Sequence, residues 1–483
     1  MYRVILSLLF VFLVSGCSKN LQPALPESNV IDACVSSLTE LQQLNRSYTG
    51  IQQGEVVAGA PWLRSNRLVD YYSRQNNLSG QQLTDLLGYM SRLAITGLQQ
   101  ELLLLPASQL QQWRQRFKIT TDSARYINDC SQTLVQQQIL SPSQSRRFLL
   151  SLPEDDDYQP FARIAGIYPI TALLFKQGVM REHTWLYQQT TALQNSDWNT
   201  YGPINADTLA PNLLDIPRDS LGIPNLSQAT KQALIKHHAP LWRLPDNLAV
   251  NRPGHPYWDK GNLKVDQQPI NFNYISHGIH RSQTTLQLNY LIWFPERIPE
   301  SRFDLLAGQH DAVLFRVHLT QAGQILAYDS IHLCGCWYSL ILPHAQSYSE
   351  TRQLYREPTF VLRTEPGRQL LSLTSNSHLL IASQKAEASA STQKQYQLRP
   401  FNDLLQLQAG ASPRLRSSVF NPEGFVPGSE RPERWLFWPM GISNPGALRR
   451  PGDHAIRFIG KLHFDDPLIL ERLGVGKDSS DLK

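Results

Sequence analysis

The chain is predicted to be α+β, a helical N-terminal domain followed by a mostly antiparallel β-rich C-terminal domain. Two changes of pattern predict this. Between Val30 and Leu150 apolar residues recur at three- and four-residue steps, the period of amphipathic helices. Beyond Lys264 they alternate or run together in short segments rich in β-branched and aromatic residues. The 483 residues are 41% hydrophobic and 18% charged with a net charge of +5, a globular composition with no electrostatic case for nucleic acid. So long a chain predicts more than one core.

Residues 1–16 have the form of a signal peptide. Arg3 supplies the positive start, and Val4 to Val14 is an apolar run too short to span a bilayer. The run closes on Leu13-Val14-Ser15-Gly16-Cys17, which resembles the lipobox of bacterial lipoproteins. That resemblance implies cleavage before Cys17 and its acylation, palmitate among the chains. Several acyl chains exceed what stable anchoring needs. Ser18 after the cysteine, by resemblance to enterobacterial sorting rules, favours the outer membrane. Residues 17–28 read as a tether.

Residues 29–195 are expected to be helical. Ile31, Cys34, Val35, Leu38, Leu41 and Leu44 make one helix face. Ser79 and Gln82 form a capping box, with Leu83, Leu86, Leu87, Met90, Ala94 and Leu98 following on one face. Pro106 stops that helix. Ser108 is a candidate cap for the next, Thr121 to Leu140 is another, and Ser141-Pro142 opens a further one. Helix continues from Phe161 to about Leu193, with a break expected at Pro169. Catalytic residue types are scarce here. The acidic run Glu154 to Asp157 suits either a solvated loop or a calcium site.

Residues 196–260 read as an irregular linker with one helix, Ser227 to His237. Residues 261–470 read as β-rich. Strands are expected at Gln283–Phe294, Ala312–Leu319, Gln324–Ser330, Trp337–Leu342, Thr359–Arg363, Gln369–Leu373 and Leu379–Ser383, with Ile456 to Phe464 returning last. The aromatic-bearing stretch 402–453 is expected to pack across the sheet, and 471–483 to be a polar tail.

Chemistry concentrates at Asp329 to Cys336. His332, Cys334 and Cys336 alternate, so on a strand they share a face, and Gly335 lets the backbone turn tightly instead. Soft thiolates with an imidazole suit zinc or copper. His277 and His280 could add ligands only from a turn or helix. Three readings of Cys334 and Cys336 stay open: a disulfide, a metal site including His332, or free buried thiols. Asp329 and His332 could form a carboxylate–imidazole pair, steadying a metal ligand or forming part of a hydrolytic site, and Glu296 with Arg297 could face a partner or a pocket. Cys34 and Cys130 are expected either to pair or to be buried thiols. HExxH, Walker A, GxGxxG and GxSxG motifs are absent from the sequence.

Tyr290 to Arg297, Tyr328 to Cys336 and His463 to Pro467 resemble segments of a family of uncharacterised proteobacterial lipoproteins, over roughly residues 225–470. That resemblance implies no known activity. The expectation is an outer-membrane-anchored protein facing the periplasm, a binding or structural envelope module with a His/Cys-centred site. It is held to the membrane through Cys17, with an envelope protein as a further partner. The rival is a metal-dependent periplasmic hydrolase with His332, Cys334 and Cys336 as ligands and Asp329 or Glu296 as base or as support for a ligand. A third option is an assembly partner, marked by an exposed apolar patch on residues 30–150.

Overall fold

A computed structural model describes residues 27–48, 54–138, 142–152, 156–191, 197–204, 209–350, 354–387, 393–409 and 415–476. The signal segment, Cys17, Ser141, Glu154 and the end of the polar tail lie outside them.

The first helices form where periodicity places them: α1 (Glu27–Tyr48), α2 (Arg67–Ser73), α3 (Gly80–Leu102), α4 (Ala107–Arg116), α5 (Ser123–Gln138) and α6 (Pro142–Leu150). The capping box is complete. Gln82 N–H donates to Ser79 Oγ at 3.2 Å, and Ser79 N–H donates to Gln82 Oε1 at 2.9 Å. Ser108 is not a cap; it lies inside α4, which starts at Ala107 directly after Pro106. Cys34 and Cys130 are bonded, tying α1 to α5 across 96 residues. Inside this core Arg64 donates to Glu101 at 2.7 Å, and both are buried. Gly97 leaves the room: a Cβ there would lie 1.8 Å from the Arg64 guanidinium.

The expected break at Pro169 falls two residues earlier. Helix α7 (Pro160–Ala165) ends at Gly166, and Ile167 takes φ +49°. Pro169 then sits in the first turn of α8 (Tyr168–Thr191), where it removes no helical hydrogen bond.

The main sheet has eleven strands: β1 (Trp198–Pro203), β2 (Leu241–Pro245), β3 (Ile270–His280), β4 (Gln283–Arg297), β5 (Gly308–Leu319), β6 (Ile325–His332), β7 (Ser339–Pro343), β8 (Phe360–Thr364), β9 (Gln369–Leu373), β10 (Leu380–Lys385) and β11 (Lys394–Pro400). Their order is β8-β7-β6-β5-β4-β3-β11-β1-β2-β9-β10. Six of the ten ladders are antiparallel, so the sheet is mostly antiparallel, with parallel joins at β7–β8, β2–β9, β1–β11 and β3–β11. The segment expected as a linker therefore contributes β1 and β2 to the sheet, and α9 (Gln228–His238) lies between them with Ser227 as its cap. Ile456 to Phe464 forms no strand; a single bridge joins Ala455 to His463. Residues 469–473 form a short buried helix, so the tail begins later than expected.

The sheet curls until its edges β8 and β10 lie side by side without a ladder. Helix α8 covers this seam. Tyr187 Oη accepts from Val361 N–H on β8, and Thr190 Oγ1 donates to Ile381 O on β10. Unpaired edges invite foreign strands, and the helix occupies that position. Both sheet faces are buried. Tyr290, Phe294, Phe315 and Tyr328 point into the curl. Leu291, Trp293, Leu314 and Ile331 point outward, under Phe420, Leu448 and Phe464 of the C-terminal stretch.

Replacing Cys34 and Cys130 together with serine should lower the unfolding free energy by roughly 3–5 kcal/mol, from the loop entropy restored to the unfolded chain. Urea titration against the oxidised wild type measures this. Burial pushes His183, His277 and His310 down to about 4. Their contribution is complete above the ordinary histidine value and is lost as pH falls toward 4. Glu357 and Glu433, pushed up by burial to about 6 and about 8, work the other way over part of that range. With His238, lowered to about 3, the histidines outnumber these two carboxylates, so the urea midpoint should fall between about pH 6.5 and 4, read by tryptophan emission.

Candidate functional site

Side chains alternate along β5, so odd residues point into the curl and even ones outward. Asp311 therefore faces inward near the strand's start and is fully buried. It accepts from four donors. Ala312 N–H at 3.0 Å and His332 Nδ1 at 3.1 Å reach Oδ1, as does Arg431 Nη2 at 3.3 Å; His378 Nδ1 reaches Oδ2 at 2.8 Å. Burial alone would raise the Asp311 pKa. The charges of His332 and Arg431 reverse this and hold it well below the carboxylate range.

The partners come from three chain segments. His332 ends β6, His378 sits between β9 and β10, and Arg431 belongs to the C-terminal stretch. His332 Nε2 lies 3.2 Å from the His378 carbonyl, so both its ring nitrogens face oxygen acceptors. The His378 ring stacks on Phe294 with centroids 3.8 Å apart. Next to it Asn376 clamps the end of β4, accepting from Ile298 N–H at 2.7 Å and donating to its carbonyl at 2.8 Å.

Beyond His332 the chain makes a tight turn. Gly335 N–H donates to His332 O at 2.8 Å, and His332 N–H to Cys336 O at 3.0 Å. Gly335 has φ +88°, and a Cβ there would meet Ala455 O at 2.7 Å, so glycine is required. Cys334 is buried, Cys336 is half-buried, and both are free thiols. Cys336 N–H points at Cys334 Sγ at 3.3 Å. Burial opposes ionisation of Cys334, but the hydrogen bond from Cys336 and the charges of His332 and Arg431 lower its pKa. Cys336 is raised by its hydrogen bond to Cys334 and by burial. Nearby Glu433 is pushed up to about 8, first by burial and then by Cys334.

Next to this cluster, whose own side chains do not line it, a cleft of about 570 Å³ is walled by its chain neighbours Trp337, Ser377 and Leu379. Trp185, Trp198 and Trp337 line it with Glu182, Asn247, Arg297 and Ser377. Trp337 takes φ +60°, a left-handed conformation unusual for so bulky a residue. Arg297 is 8% exposed, its Nε is buried without a partner, and no ion pair reaches it among the described residues. Burial raises the pKa of Glu182, and Arg297 draws it back.

Several expected site residues lie elsewhere. Asp329 is three residues from His332 on one strand, so they face opposite ways and do not pair. Asp329 instead accepts from Arg316 Nε at 2.9 Å and Nη2 at 2.6 Å and from Tyr338 at 3.1 Å, with His318 Nε2 at 3.1 Å. Burial resists its ionisation, but Arg316 and His318 lower its pKa to about 2. His277 and His280 lie on β3, whose register carries Asn271, not His277, to the row of His332 through Ile292 and Val313. Six residues along a strand is about 20 Å. His277 packs against Tyr89 instead, 6.4 Å between centroids. The five expected metal ligands are thus not brought together, and no group of three or more His, Cys, Asp or Glu among the described residues is arranged to hold a metal. Glu296 is exposed and outside the cluster. Asp156 pairs with Lys461, and Asp157 with Arg67 at 2.8 Å. Asp311 and Arg431 carried no motif; the His310-Asp311 dipeptide before an apolar run was the only hint. Searches against family models, curated proteins and solved structures found no match to this chain.

Asp311→Asn removes the counter-charge of buried Arg431 and His332. It should cost about 3–5 kcal/mol of stability, whereas Glu296→Ala should stay within about 0.5 kcal/mol. Denaturant titration of both variants distinguishes the buried cluster from the exposed carboxylate.

Proposed function

We propose that this is a lipid-anchored envelope protein whose β-rich part binds a small ligand in the cleft beside Asp311. The observation that carries this reading is the unpaired, buried Arg297 in a cleft bearing three tryptophans. A guanidinium held out of water is a strong partner for a carboxylate or phosphate. Indole faces suit a flat or sugar-like body. The ligand class is therefore a compact molecule with one acidic group and a ring to stack. The Asp311 cluster acts as a positioning device, since its donors are committed to each other and it pins the segments that form the cleft wall. The anchor rests on the lipobox resemblance at Cys17, and an outer-membrane, periplasm-facing site rests on Ser18 after it. A metal-dependent hydrolase finds less support, because both nitrogens of His332 face oxygens and Asp329 faces away.

Thermal shift and tryptophan emission should be followed with uronates, phosphosugars, neutral sugars and short peptides. A binding member should stabilise by about 2.7 kcal/mol at a hundredfold excess over Kd. Arg297→Met should weaken acidic ligands about 10–100-fold, from the loss of a charged hydrogen bond, and spare the fold. Equal binding of acidic and neutral members, unchanged in Arg297→Met, would remove the basis of the proposal.

A further inference from the structure

Helix α7 and the first half of α8 turn apolar side chains toward solvent. Phe161 is 81% exposed, Ile164 77%, Ile170 61% and Leu174 66%. The short helix α10 (Arg434–Phe437) adds Trp435 at 73% and Leu436 at 58%. These segments form one face. Phe175 meets Phe437 with centroids 5.1 Å apart, and Arg163 Nε donates to Met440 O at 2.8 Å. Gly166 lets them close, since a Cβ there would lie 2.3 Å from Pro439. Scattered surface apolar residues need no explanation, but a contiguous face of this kind marks a contact surface. It is not on residues 30–150, where an assembly partner was expected to dock.

We infer that this face lies on the lipid bilayer, as a second and non-covalent contact beside the anchor at Cys17; the inference rests on the anchored reading above. The chain outside the described residues supports this occupant. From Cys17 to the first residue of α1, Glu27, is ten residue steps. Fully extended they reach about 35 Å. The body so tethered stays within roughly one domain's width of the membrane, close enough for an apolar face to reach it. Residue chemistry selects the face. Isoleucine, leucine and phenylalanine suit the outer acyl region, and tryptophan favours the headgroup boundary. Arg181 and Arg434 border the patch, with Glu182 the one acidic residue on α8. Their long stems can lie along the apolar surface while the charges meet anionic headgroups. A second copy of the chain would bring the same cations against each other.

The test uses the full lipidated chain reconstituted on vesicles of phosphatidylethanolamine and phosphatidylglycerol, with and without brominated acyl chains. Flotation reports anchoring, and quenching of tryptophan emission reports depth. Two of the ten tryptophans, Trp435 and Trp438, should enter the quenched zone, so up to about a fifth of the emission should be lost on brominated vesicles. The Trp435→Phe/Trp438→Phe variant should lose this component, and Phe161→Ser/Ile164→Ser should reduce it while still floating. A chain that floats with equal quenching in wild type and tryptophan variant overturns the bilayer contact but leaves the anchor standing. Cross-linked dimers abolished by Phe161→Ser, with no quenching, overturn it in favour of a second copy. A chain that does not float overturns both the anchor and the contact. Residual flotation and quenching in Cys17→Ser would support the face on its own.

Discussion

One buried carboxylate sets the geometry of the cleft end of the sheet. Asp311 has no access to water, and an ionised carboxyl is tolerated there only because four donors converge on it. Three of those donors belong to parts of the chain far apart in sequence. Each must stay in place for the others to remain satisfied, so the end of β6, the β9–β10 connection and the C-terminal stretch are locked together. The arrangement specifies where the walls stand, whatever its net contribution to stability.

The same strand carries an opposite charge on its other face. Arg316 points outward, binds Asp329 in a two-point fork, donates to Phe464 O at 2.8 Å and lies 3.6 Å from the Phe464 ring. That pair fastens the C-terminal stretch to the outside of the sheet, as Asp311 fastens it at the end. A sheet covered on both faces leaves little open backbone. What remains is the seam, closed by α8, and the cleft end, lined by Trp337 and Arg297. The apolar face on α7 and α8 follows from the same arrangement. Helix α8 spends its far end on the seam, and its first turns pack on the C-terminal stretch through Phe175 while Ile170 and Leu174 stay outward.

Local patterns were legible where the physics is local. The Ser79–Gln82 box, the buried stripe of α1 and the long apolar β4 need only near neighbours to form. The turn joining β3 to β4 was not legible. It is built from Arg281 and Ser282, both at positive φ, instead of the Asn-Gly that usually signals a two-residue hairpin. Tertiary contacts hold it: Glu471 accepts from the Arg281 N–H, and the Arg281 guanidinium donates to Gly476 O. Strand β3 was therefore missed, and its two histidines looked free to join a metal site. Strands β1 and β2 sit among prolines and asparagines, and apart from each other their partners lie more than a hundred residues away. Nothing local distinguishes such segments from a linker.

By itself the sequence determined the fold class, most helices and central strands, the Cys34–Cys130 pairing as one of two options, and the stretch 328–336 as the place where polar chemistry collects. It offered Glu296 with Arg297 only as a pair that could face a partner or a pocket. Only the tertiary structure decided which partners those groups meet. Strand parity turned Asp329 away from His332, and along the strand the sheet register separated His277 from it by about 20 Å and His280 by about 30 Å. Folding of the C-terminal stretch brought Arg431 to Asp311, 120 residues away in sequence. Periodicity records which face a residue takes along its own element. It does not record which remote segment covers that face, and a buried charge is governed by that covering segment.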